Sequence, residues 1–115
     1  MPDTIAYKVL TTEQLAVLER DGTFAGAPVD LTDGYIHLSA ADQLSETIDK
    51  HFDGQHGLQI VAVDLEALGD AVKWEESRGG LLFPHIYGPL TLDVVLDYGP
   101  LEYHPDGTIR LPVTG

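Results

Sequence analysis

The segment Gly34-Tyr35-Ile36-His37-Leu38-Ser39 sets an imidazole and a hydroxyl two positions apart. On a strand such positions share a face. His37 and Ser39 are therefore expected to project together at a strand end, where a helix is expected to begin. The start of a helix offers free N–H groups and the positive end of a dipole, a natural anion site. His37 there can donate a hydrogen bond, act as acid or base, or bind a ligand. The competing reading is that Ser39 only caps the helix and His37 is a satisfied core histidine.

Two further segments carry chemical groups. Trp74-Glu75-Glu76-Ser77-Arg78-Gly79-Gly80 sets a carboxylate pair and one of six cations beside two glycines. Arg78 can clamp a phosphate or carboxylate through two parallel hydrogen bonds, and the glycines let backbone approach a ligand closely. The plainer reading is a solvated turn with an ion pair worth little. Phe83-Pro84-His85-Ile86-Tyr87-Gly88-Pro89 packs aromatic, imidazole and phenol groups into a stretch too punctuated for regular structure. Binding residues concentrate on such loops; the alternative is a lid folded onto the core, with His85 structural.

Other chemistries fit less well. His37, His85 and Glu75 lie on separate segments without the spacing of a metal site, so no metal centre is expected. A Ser39-His85-Asp64 triad lacks a Gly-x-Ser-x-Gly elbow. No dinucleotide or Walker glycine motif is present. His51, His56 and His104 read as surface residues. There are no cysteines, which excludes disulfides, thiolate zinc and cysteine nucleophiles.

The 115 residues are the size of one domain, taken as 1–115, with room for one core. Nineteen acidic residues against six basic ones give a net charge of −13. Such a surface repels polyanions, so neither a nucleic acid nor an anionic membrane is expected as partner. No apolar run is long enough to span a bilayer. Met1-Pro2-Asp3-Thr4 does not start like a secretory signal. A cytoplasmic protein is expected, with oligomeric state open.

The elements that must position these groups follow from periodicity. Thr4–Leu10 alternates as a strand. Thr12 is expected to cap a helix to about Arg20, ended by Asp21-Gly22. Residues 23–33 read as loop. Tyr35–Leu38 reads as a short strand, and Ser39 as the cap of a helix whose Ala40, Leu44, Ile48 and Phe52 form one apolar stripe. Leu58–Leu65 is apolar almost throughout and is expected to be a central strand. A turn or a single helical turn covers Glu66–Asp70, a strand Ala71–Glu75, irregular chain Leu81–Leu90, a strand Leu92–Tyr98 and a closing hairpin Tyr103–Leu111. Early helices and late strands argue for an α+β fold.

Asp33-Gly34-Tyr35-Ile36-His37-Leu38-Ser39, Trp74-Glu75, Arg78-Gly79-Gly80 and Leu82-Phe83-Pro84-His85-Ile86-Tyr87-Gly88-Pro89-Leu90 together resemble a bacterial family, the domain of unknown function nine-five-two. The likeness runs from the first strand to about Leu101; the family usually has Phe where this chain has Tyr35. The resemblance implies an ADP-ribosyltransferase-like split sheet, with two early helices and a mostly β C-terminal half, that holds NAD in a cleft. It makes His37 the counterpart of a histidine that contacts the nicotinamide-ribose side of NAD, with Ser39 beside it. The expected catalytic groups are His37, Glu75 and His85, and the expected ligand contacts Ser39, Arg78 and Tyr87. NAD would be substrate rather than resident cofactor. Binding of a small polar metabolite without catalysis, or a structural or partner-binding role, are the rival readings.

Overall fold

The computed structural model describes residues 4–76 and 80–112. It is α+β, built from antiparallel sheets and four α-helices among the described residues. Strand β1 (Ile5–Thr11) leads into helix α1 (Thr12–Asp21). Thr11 caps that helix, one position earlier than expected, and Gln14 closes a reciprocal capping box. Gly22 ends it with φ 73°, a left-handed conformation that glycine adopts without steric cost.

Strand β4 (Leu58–Asp64) is central, as its apolar run demands. It pairs along seven residues with β1 on one side and with β8 (Val95–Pro100) on the other. One apolar cluster covers each face of this sheet. Leu15 and Leu18 of α1 join Leu10, Val61 and Val63 on one side. Helix α3 (Leu44–His51) lays Leu44 and Ile48 against Tyr7, Ile60 and Ala62 on the other.

Three elements around the second sheet differ from the sequence-based expectation. Residues 23–33 are not plain loop. They hold β2 (Thr23–Phe24) and a short helix α2 (Pro28–Asp33). Pro28 is pre-set for the first helical position, and Asp30 reaches back to the Ala27 N–H. Gly34 closes the helix with φ 89° and an N–H bond to Asp30 O. Second, Ser39 does not cap the next helix. Ala40 holds that place, its N–H bonded to Gln43, before a 3-10 turn (Ala41–Gln43) leads into α3. Third, residues Leu82–Ile86 form a regular strand, β6. It lies between β3 (Ile36–His37) and β5 (Val72–Glu76) in a second three-stranded sheet.

Pro84 stands inside that central strand. Its carbonyl accepts from the Leu38 N–H at 3.0 Å, but it has no N–H to return. The ladder between β3 and β6 therefore stops at His37–His85. The 92–94 stretch, expected to be strand, is a 3-10 turn between β7 (Leu90–Thr91) and β8; β7 pairs with β2. Glu66–Asp70 folds as a short helix α4 (Leu65–Leu68) and a 3-10 turn. Tyr103 and Ile109 bridge across the expected hairpin. No helix among the described residues is long and apolar enough to cross a membrane.

Candidate functional site

The register of the second sheet assembles the site. His37 lies opposite His85, and His85 opposite Lys73. Directly opposed residues share a face. Two positions along, Ser39, Phe83 and Glu75 fall on that face; two positions the other way lie Tyr35 and Tyr87. Leu38, Pro84 and Trp74 point to the other face, where Leu38 and Trp74 meet the core. Because Leu38–Pro84 is the hydrogen-bonded pair, His37–His85 is the adjacent non-bonded pair, whose side chains approach more closely.

The rings pack accordingly. Tyr35 stacks on His85 with centroids 4.1 Å apart and planes 23° apart, and also contacts His37 at 4.8 Å and Tyr87 at 5.3 Å. The two imidazoles meet edge to face at 5.3 Å. Each is held at Nδ1 by a carboxylate from a flanking element. His85 Nδ1 lies 2.7 Å from Glu75 Oε1, and the Tyr87 hydroxyl donates to both Glu75 oxygens at 2.8 and 3.0 Å. His37 Nδ1 lies 2.6 Å from Asp30 Oδ1, and its Nε2 lies 3.0 Å from Asp33 Oδ2. Both His37 contacts are hydrogen bonds only when the ring carries two protons.

Asp30 is 1% exposed and is the most heavily used acceptor of the cluster. It takes the Ala27 N–H, the His37 N–H and the ammonium of Lys8 at 2.9 Å, besides the His37 ring. Its place is set by the splitting of the sheets. Tyr7 and Ser39 pair by two backbone bonds, after which β1 and β3 separate. The His37 N–H then faces no strand, and the Asp30 carboxylate satisfies it. Gly26 leaves the room, since a Cβ there would lie 2.9 Å from Asp30 Cβ.

Burial alone would raise the Asp30 carboxyl. The hydrogen bond from His37, the charge and hydrogen bond of Lys8, and the Ala27 N–H outweigh it and carry the group from 3.8 to about 2. Burial pulls the Lys8 ammonium below its ordinary value, opposed by Asp30. Hydrogen bonds from His85 and Tyr87 hold Glu75 below the usual carboxylate range. The same bond raises the Tyr87 phenol, while burial and then the Asp33 and Glu75 charges raise Tyr35. A carboxyl with a lowered folded pKa stabilises the fold fully above its unfolded value. That contribution is lost as pH falls through the folded one. For Asp30 the loss of about 2 kcal/mol is expected between about pH 4 and pH 2. Urea unfolding at stepped pH measures it; a stability flat across that window refutes it.

Of the residues singled out by sequence, His37, Glu75, His85 and Tyr87 lie together. Ser39 stands apart: it is 4% exposed, and its hydroxyl bonds Thr47 of α3 at 2.8 Å. Arg78 lies outside the described residues. Sequence reasoning missed Tyr35, Asp30, Asp33 and Lys8. Tyr87 is exposed, Tyr35, His37 and Glu75 are half-buried, and His85 lies beneath them. A surface depression of about 290 Å³ beside Phe52 and Tyr103 is lined by none of these residues. Among the described residues no group of three metal-ligating side chains is disposed to hold a metal ion.

The sequence matches the family described as a protein of unknown function (DUF952) over residues 9–98, which includes β1 from Val9 and every residue of the cluster except Lys8. The chain belongs to the DUF952 family. The crystal structure of protein CC0527 from Caulobacter crescentus is similar at 44% identity, with TM-score 0.84, covering 93% of this chain and 94% of that one. The solution NMR structure of CC0527 is similar at TM-score 0.78, again at 44% identity, covering 93% and 91%. No curated protein matches the sequence. The DUF952 match thus spans the three segments whose side chains meet on this face.

Proposed function

We propose that this DUF952 domain binds the nicotinamide-ribose end of NAD, or of an ADP-ribose-like nucleotide, on the Tyr35–His37–Glu75–His85–Tyr87 face and cleaves the bond between ring and ribose. The observation that carries the reading is the convergence of two phenol rings, two imidazoles and a half-buried carboxylate on one sheet face. An ADP-ribosyltransferase-like arrangement of the fold is part of the same proposal.

The chemistry follows from charge. The nicotinamide ring of NAD is a cation, and tyrosine faces attract cations. When the ring leaves with the bonding electron pair it becomes neutral, and positive charge moves to the ribose as an oxocarbenium. The Glu75 carboxylate would stabilise that charge, oriented beforehand by His85. Water or another nucleophile then adds at the anomeric carbon and loses a proton. His37 would bond a ribose hydroxyl, and Arg78 would pair with a phosphate. Ser39, buried on Thr47, serves the strand rather than the ligand.

Incubation with NAD should release nicotinamide, and NAD or ADP-ribose should raise the melting temperature. Neither release nor a shift with either compound sinks the proposal. Binding without turnover is the second reading, favoured by the fact that both Glu75 oxygens are already engaged by His85 and Tyr87. It predicts the shift without the release.

A further inference from the structure

We propose that Asp30 is the positioning residue of this face: buried and clamped by Lys8 and two backbone amides, it holds His37 with Nδ1–H turned inward, so that Nε2 is the atom offered to a ligand. The ligand contact of His37 rests on the function proposed above; the orientation of its ring does not.

The two carboxylates that touch His37 differ in kind. Asp30 is 1% exposed, and each of its oxygens has several partners. It cannot leave without stranding a buried ammonium and two N–H groups. Asp33, at the end of α2, is 40% exposed and meets the His37 ring at Nε2. It can turn to water at little cost. Asp30 is thus the fixed partner and Asp33 the exchangeable one, whose place at Nε2 a ligand hydroxyl can take. A carboxylate at Nδ1 keeps the proton on that nitrogen when the ring is neutral. The free Nε2 lone pair then accepts a hydrogen bond or a proton. Without such a partner the tautomer is not held.

The opposite rung repeats the device. His85 Nδ1 is held by Glu75, with the ring 3% exposed beneath Tyr35. His37 differs because its ring is 31% exposed, so its Nε2 can meet a ligand.

The test is nitrogen NMR of the protein with ¹⁵N-labelled histidine, at a pH where the His37 ring is neutral by its own titration. His37 is expected as the Nδ1–H tautomer in the unaltered protein. A predominant Nε2–H tautomer overturns the proposal, and this measurement needs no variant. The double variant Lys8→Met/Asp30→Ala removes both buried charges together, so no ion is left uncompensated. It should lose the tautomer preference and bind NAD about tenfold more weakly, as a folded protein of somewhat lower melting temperature. Unchanged NAD affinity in that variant, with the fold intact, also overturns the proposal. If the tautomer is as stated but the unaltered protein binds neither NAD nor ADP-ribose, the function proposed above fails while the positioning of His37 stands.

Discussion

Replacing Asp30 with alanine is expected to cost about 3–5 kcal/mol of stability, among the largest effects of any single substitution here. The loss comes from what remains. Lys8 is 6% exposed, and among the described residues its ammonium is paired with Asp30. The backbone N–H groups of Ala27 and His37 also lose their acceptor, and buried unsatisfied donors each add a penalty. Adding Lys8→Met to Asp30→Ala should restore a large part of the loss, because the uncompensated charge is then gone. Urea unfolding of the three proteins measures both effects. A single variant within about 1 kcal/mol of the parent would show that water reaches Lys8.

Glu75→Gln should act in the opposite manner, with little effect on folding and a large one on turnover. Its side chain is 37% exposed, and glutamine still accepts from Tyr87 and His85. What it lacks is the negative charge beside the developing cation. A fall of about 10²–10³-fold in the rate of nicotinamide release is expected, with NAD affinity changed much less. Spectrophotometric titration of the phenols gives a check independent of activity. Tyr87 is held high chiefly by its bond to the Glu75 carboxylate, so its phenol should titrate lower in the variant. Full turnover by Glu75→Gln would remove Glu75 from the chemistry and leave binding alone.

Much of the fold could be read from periodicity. The apolar run Leu58–Leu65 has one physical solution, a strand covered on both faces, and β4 is that strand. Helix α3 shows its stripe of Leu44 and Ile48 in the same way. Residues 82–86 were harder. Pro84 argues against a central strand, because it cannot donate to a ladder. It is tolerated because its nitrogen lies where the β3–β6 ladder ends.

Reading that stretch as irregular located His85 and Tyr87 but not the face they share with His37 and Tyr35. Tyr35, His37 and Ser39 alternate, and so do Phe83, Tyr87 and the intervening His85. Once both are strands, antiparallel pairing puts them on one face. Asp30 was illegible for a different reason. It acts from a six-residue helix with too few turns to show a period, although Pro28, Asp30 and Gly34 do mark its start and stop. The partnership of Lys8 with Asp30 spans 22 positions and depends on where the two sheets part, which no local pattern encodes.

The proline in β6 has one more consequence. The β3–β6 seam comprises two residue pairs and the Leu38–Pro84 bond, whereas β1 and β4 are joined along seven pairs. Opening the short seam breaks few bonds, and opening the long one breaks the domain. The seam between the two histidines is therefore held mainly by the buried side chains of Ile36, Leu38 and Ile86 rather than by its backbone ladder.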